Sequence, residues 1–369
     1  MGTKMTDRAF SDLPVPPGEL LAEELEVRSM SQKELADRTG RPEQTISEIV
    51  NGKKSITHDT ALELEKVLGI AASFWVNLES SFQLTKARLR ELHDLEKQED
   101  WLGFFPVKEL EARGCIPRMP TNREKLMELL KFFGAASFVA LRQRQESILG
   151  ADAVLGYRIT PKSMVNQGAL WAWLRAGELE AEEMELGRYD EARFLSALSE
   201  IRSLTRESGW KAIREKMTEL CAAAGVSLVI VKEFEKSGAS GVARWLSADH
   251  AMIQLSTKRR FVDMFWFSLF HEAKHVLERQ RKRTFVNGIN DDPTAEKDAD
   301  EFASNLLIPE KDWRRFVATA PRSHDEVRNF ALEMGIHPEI VVGRLHHEGV
   351  LPPSHLNGLR RRFQWTETR

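Results

Sequence analysis

The sequence predicts a mainly helical chain with one small β-sheet, an α+β architecture, and three observations carry that expectation. Most of the chain alternates apolar and charged residues at helical spacing. One short region, 226–256, is instead rich in β-branched and alternating residues. At 369 residues, with 42% hydrophobic and 30% charged, the chain is long enough for more than one packed core. Differences in texture divide it into residues 1–90 (short helices with turn signals between them), 91–220 (longer charged helices, read as a connector or sensor region) and 221–369 (the sheet followed by further helices).

The composition excludes several classes. A net charge of −3, from 53 Lys+Arg against 56 Asp+Glu, rules out a basic coat for nucleic acid. The two cysteines, Cys115 and Cys221, are far apart, which excludes a disulfide scaffold or thiolate zinc finger and suits a reducing cytoplasm. They are assigned to core packing. The first residues carry charge and proline where a secretory signal needs an apolar run. Phe261 to Phe270 is the most apolar window, yet it is about half a membrane span and contains Asp263, so a buried helix is expected and no membrane partner.

Along the chain, QKELADRTGRPEQTISEIVN from Gln32 has the spacing of a helix–turn–helix. Leu35 and Ala36 face inward on one helix, Ile46 and Ile49 on the next, and Gly40 falls at the turn, where positive φ is needed. Ser31 is placed to cap the first helix, with Glu34 completing a capping box, and Asn51-Gly52 supplies the stop. If the second helix enters a major groove, Gln44, Thr45 and Ser47 face base edges, and Arg38, Arg41, Lys53 and Lys54 flank it towards phosphates. A helical bundle used only for protein contacts is the rival reading, and the slight acidic excess of residues 1–90 leans that way. ALWAWLRAGE, with Trp171, Trp173 and Leu174, reads as a buried helical face. VSLVIV (226–231) reads as a buried strand, and GVARWL (241–246) with HAMIQLS (250–256) as a hairpin offering an edge to an extended peptide.

The sharpest feature is HEAKH, His271 to His275, within FWFSLFHEAKHVLE. Residues four apart on a helix share a face, so both imidazoles can bind one ion with Glu272 beside it. Such a pair suits zinc, and manganese accepts the same donors. The preceding aromatics make this a core helix. TAEKDADEFASNLLIP follows with Glu296 and, one turn on, Asp300: a carboxylate ligand and an acid that orients a histidine. The alternative reading takes Glu296, Asp298, Asp300 and Glu301 as a solvated acidic face. Arg344, His346, His347 and Tyr157 stand as candidates for a second oxyanion donor.

Two resemblances add to this reading. The stretch from Pro17 to about Arg90, through SQKELA, QTISEIVNGK and FWVNLESSF, resembles the HigA-type antitoxins of the phage-repressor (Xre) group. That implies a dimeric domain binding operator DNA, with a toxin as a further possible partner. Leu220 to Pro353, through GVARWL, IQLS, FWFSLFHEAKHVL, EKDADEFASNLLIP and IHPEIVVGRLHHEGVLPP, resembles the ImmA/IrrE family of metallo-endopeptidases, a thermolysin-like group. By that resemblance His271, His275 and Glu296 hold Zn2+, Glu272 is the general base and Asp300 the supporting carboxylate. Lys274 departs from the small residue common in relatives, which bears on access to the site. The combined expectation is a cytoplasmic transcriptional regulator that cleaves a helix–turn–helix repressor, or itself. Its rival is a non-catalytic antitoxin or repressor whose metal fold senses or dimerises.

Overall fold

The computed structural model describes residues 14–149, 166–238, 240–256, 261–278, 285–286 and 293–362. Its contacts divide the chain into two units, Met1–Glu99 and Asp100–Arg369.

The first unit holds α1 (Pro17–Val27), α2 (Gln32–Thr39), α3 (Glu43–Val50), α4 (His58–Leu68) and α5 (Ala72–Glu96). Proline opens α1, where a missing N–H costs nothing. Ser31 Oγ accepts the Glu34 N–H at 3.1 Å, as expected of the cap. The reciprocal half of the capping box is not formed. The Glu34 carboxylate reaches Arg38 at 2.6 Å instead, because a charged partner one turn away outcompetes a backbone amide. Gly40 ends α2 at φ +69°, a conformation that costs an L side chain about 1–2 kcal/mol. Leu21, Leu35, Ile46, Leu64 and Trp75 form the buried centre of this unit.

The second unit begins with α6 (Asp100–Phe104), α7 (Val107–Ala112), α8 (Asn122–Phe133), α9 (Phe138–Leu149), α10 (Gln167–Glu182), α11 (Glu191–Ser203) and α12 (Trp210–Ala223). The sequence reading sets 91–220 apart as a connector; from Asp100 onward those residues lie in the same unit as the sheet. Strands β1 (Val226–Ile230), β2 (Gly241–Ser247), β3 (His250–Leu255) and the two-residue β4 (Phe285–Val286) follow in the order β1-β3-β2-β4. The hairpin forms as expected, with Val242 opposite Gln254 and Ala243 opposite Ile253. Its anticipated free edge is taken at two positions. Strand β3 is interior, parallel to β1, and β4 pairs with β2 at Val242 and Ala243, which satisfies ladder groups that an open edge leaves exposed.

Two layers cover the sheet. On one face lies α10, whose Trp171, Trp173 and Leu174 are buried. Trp173 Nε1 donates to Val231 O at 3.0 Å, and Gln254 Nε2 donates to Trp173 O at 2.7 Å. On the other, Leu228, Ile253 and Leu255 share a core with Trp266, Leu269 and Phe270 of α13 (Val262–Leu277). Beside α13 packs α14 (Pro293–Leu307), followed by α15 (Glu310–Val317), α16 (His324–Met334) and α17 (Pro338–His347). Residues 360 and 361 then clasp the start of α13. Arg360 grips the buried Asp263 through two bonds of 3.1 and 2.7 Å. Arg361 binds the fully buried Glu339 at 2.9 Å and Thr205 O at 2.8 Å, while its carbonyl accepts the Val262 N–H at 3.0 Å.

Candidate metal centre

Helical spacing and a buried face bring the candidate ligands together. His271 and His275 lie on the core side of α13 and are 2% and 3% exposed. Their Nε2 atoms are 3.2 Å apart. Glu296, from the first turns of α14, closes the group: its carboxylate oxygens stand 3.2 Å from His271 Nε2 and 3.3 Å from His275 Nε2. One donor atom from each of the three lies within 4.8 Å of the others. Asp300, one turn further along α14, meets the opposite ring nitrogen of His271 at 2.9 Å. In that geometry His271 Nδ1–H donates to Asp300, which directs Nε2 towards His275 and Glu296. Of the acidic run on α14, the half-buried Glu296 and the exposed Asp300 therefore meet His271, while Asp298 and Glu301 are exposed.

Crowding of electron-rich atoms calls for a positive charge between them. Burial alone lowers the His271 pKa, but its bonds to Asp300 and Glu296 and the nearby charges of Glu272 and Glu296 outweigh that and push it up to about 10. Burial likewise works to raise Glu296, and the two histidines override it, pulling the carboxyl down to about 2. A proton on His271 thus does what a shared cation does better. Two imidazole nitrogens and a carboxylate are the donor set of a catalytic zinc site, so the residues fit a divalent ion.

Glu272 is the other notable group. It is fully buried, neither carboxylate oxygen has a hydrogen-bond partner among the described residues, and burial pushes it up to about 8. The room it occupies exists because β2 starts with Gly241. A Cβ there would sit 2.4 Å from Glu272 Oε1. Gly241 escaped the sequence reading, although a glycine opening a strand is a recognised sign of close approach.

The proposed DNA-reading residues show a mixed exposure. Gln44 is exposed, its Nε2 donating to Glu48 at 2.9 Å, and Ser47 is half-buried. Thr45 does not face outward: it is 9% exposed, four residues before buried Ile49, and lies on the flank of the inward face. Its hydroxyl is 3.4 Å from Lys54 Nζ. Arg38 pairs with Glu34, and Arg41 is bound to Glu63. Lys53 and Lys54 are exposed beyond the end of α3.

Two family models match the chain: Helix-turn-helix over residues 21–75, and IrrE N-terminal-like domain over residues 228–346. The HTH-type transcriptional regulator YddM of Escherichia coli (strain K12), itself uncharacterized, is 30% identical over 71 residues, spanning 19% of this chain and 76% of that protein. The chain belongs to the helix–turn–helix transcriptional regulators. Virulence-associated protein I of Dichelobacter nodosus is 36% identical to this regulator over 74 residues, 20% of the regulator and 68% of the relative. An addiction module antidote protein of the HigA family from Coxiella burnetii is 40% identical in a structural match covering 23% of the regulator and 92% of that chain, with a TM-score of 0.22.

Other candidates in the regulator are accounted for structurally. Arg344 donates to Ile308 O at 2.9 Å, binds Glu310 and Glu348 at 2.7 Å each, and stacks 4.6 Å from the Trp313 ring. His346 Nε2 lies 2.8 Å from His355 O. Tyr157 lies outside the described residues. His347 is exposed, and the Phe267 ring stands between it and His271, at 6.3 Å and 6.2 Å respectively. Both Phe267 and His347 line a cavity of about 410 Å³ that also touches Asp300. Lys274 leans along its helix to Glu278 at 3.3 Å. Cys221 is buried, with its thiol pushed up to about 12 by burial. His250 Nε2 is bonded to Ser227 Oγ at 3.0 Å. Among the described residues no helix is long and apolar enough to cross a membrane.

Proposed function

We propose that the regulator is a metal-dependent endopeptidase whose target is a helix–turn–helix repressor or its own chain, so that proteolysis governs occupancy of an operator. The observation that carries this reading is the convergence of His271, His275 and Glu296 beside a buried Glu272 that has no hydrogen-bond partner among the described residues. A bound divalent ion, zinc or manganese, supplies polarisation of a peptide carbonyl and acidifies water to a pKa of about 7. His271, His275 and Glu296 hold it, and Asp300 fixes the His271 tautomer. Glu272 takes a proton from the attacking water and returns it to the departing amine. Ionisation of Glu272 is easier with a dication nearby, which offsets the burial that raises it. Gly241 keeps the backbone of β2 clear of that carboxylate.

Operator DNA is engaged by α3. Gln44 and Ser47 face bases, and Arg38, Arg41, Lys53 and Lys54 approach phosphates. Thr45 stays in the set only through the edge of its hydroxyl. The HigA-like resemblance adds a homodimer and, as a further partner, a toxin protein; a DNA-binding role suits a cytoplasmic molecule.

The deciding experiment incubates the full chain with candidate repressors and follows both proteins by mass spectrometry. Wild type yields discrete fragments, and Glu272→Gln slows cleavage by about 10²–10⁴-fold while keeping its metal and its DNA affinity. Equal, intact repressor in both samples removes the peptidase and leaves a DNA-binding regulator. Metal content resolves the ligands: Glu296→Ala holds less than wild type, and equal occupancy strikes Glu296 from the set.

A further inference from the structure

Next to the metal centre, α13, α14 and α17 line a cavity of about 410 Å³. Much of that lining is apolar. Met264 and Phe267 come from α13, Leu307 ends α14 and Ile308 follows it, and Ile340 belongs to α17. Two groups join the cavity to the centre. Asp300, which bonds His271, forms part of the wall, and so does Phe267, whose ring lies 6.2 Å from that of His271. Asp300 and His347 are both exposed, so the wall reaches the surface of the molecule.

The charges on this wall are already engaged. Arg360 holds Asp263 through two bonds, and Arg344 binds Glu310, Glu348 and Ile308 O. His346 Nε2 meets His355 O, and Asp300 meets His271. An ionic guest would therefore give up water against Met264, Leu307 and Ile340 without gaining a counter-charge, which is costly. An uncharged apolar guest pays no such penalty. Size points the same way: an apolar cavity of about 150 Å³ takes a benzene ring, so one of about 410 Å³ has room for a whole Phe, Leu or Met side chain.

We propose that this cavity binds a large, uncharged apolar side chain, and that in the peptidase it selects substrates carrying Phe, Leu or Met within two residues of the scissile bond. The second half rests on the peptidase reading above; the first does not. An extended peptide advances about 3.3 Å per residue. A chain lying at the metal centre thus brings a side chain one or two positions from the cut within reach of Phe267 and Asp300. Charged side chains are rejected at that position, and small ones leave the cavity unfilled.

Two measurements on the full chain test this. With isotope-labelled methionine methyl groups, the Met264 resonance (assigned by its loss in Met264→Ala) shifts saturably with N-acetyl-phenylalaninamide. It stays still with N-acetyl-lysinamide or N-acetyl-glycinamide. Ser304→Phe, which fills the cavity from α14, abolishes the shift while keeping the wild-type metal content. The metal-loaded protein is next given peptides from a digested proteome, and cut sites are read by mass spectrometry. Sites with Phe, Leu or Met at one fixed position near the cut exceed those with Ala by about tenfold or more, the scale of discrimination in an apolar pocket. Ser304→Phe moves that preference to Ala and Gly, and Met264→Ala moves it to Trp. No Met264 shift with the phenylalanine probe, an equal shift with the lysine probe, or cleavage indifferent to side-chain size overturns the proposal. If no peptide is cut while Met264 responds as expected, the peptidase falls and the apolar site stands.

Discussion

At the scale of single residues, Glu272 and Gly241 are the pair to perturb. Without metal, both Glu272 (about 8 in the fold against an ordinary 4.5) and His271 (about 10 against 6.5) bind protons more tightly folded than unfolded. A raised folded pKa gives stability that is complete below the unfolded value and is lost as pH rises through the folded one. The metal-free regulator therefore melts at falling temperature as pH climbs from about 4.5 to 10. Glu272→Gln removes the fall that begins near pH 4.5 and leaves the His271 contribution between about pH 6.5 and 10, and scanning calorimetry at several pH values in chelator reads both effects. Gly241→Ala drives a methyl into Glu272 and costs about 1–3 kcal/mol of stability. Its loss of cleavage should exceed its loss of fold, compared by activity per folded molecule. His271 and His275 were legible because a four-residue spacing is a geometric statement about helices. Gly241 was not, since it meets Glu272 only after a strand and a helix pack across 31 positions of sequence.

At the scale of elements, the helix–turn–helix was readable almost residue by residue: Leu35, Ala36, Ile46 and Ile49 are buried and Gly40 adopts positive φ. What misled was side-chain choice among competing partners. Glu34 prefers Arg38 to the cap amide, and Thr45 is buried on the flank of the core face. The DNA reading makes a split prediction. Gln44→Ala relaxes discrimination at one base pair by about 1–3 kcal/mol. Lys53→Ala weakens all sequences alike and lowers the salt slope by about one unit, measured by fluorescence anisotropy across a salt series. Loss of discrimination in Lys53→Ala would exchange these roles. The β-hairpin was equally legible from its alternation, but not its neighbours: a two-residue strand such as β4 has too little pattern to announce itself, so its cover of Val242 and Ala243 was not foreseen.

At the scale of the whole molecule, texture alone divided the chain at residues 90 and 220, yet α10 lies on the sheet and belongs with it. Charged helices look like connectors because each shows a polar face; which apolar face meets which sheet is a long-range matter. The clasp of residues 360 and 361 on α13 and α17 was invisible for the same reason, since an arginine pair near a chain's end has no local signature. Truncating one partner of a buried ion pair costs about 3–5 kcal/mol. Arg360→Ala is accordingly expected to lower the melting temperature of the second unit and its metal affinity together, read by calorimetry and metal titration. Retained metal affinity in a destabilised protein would show that the clasp supports the fold without shaping the centre.

That same fastening sets an order of events during synthesis. The helix bearing both imidazoles is made nearly a hundred residues before the arginines that pin its first turn. A ribosome must therefore deliver residue 361 before the helix of the candidate metal centre is fully braced.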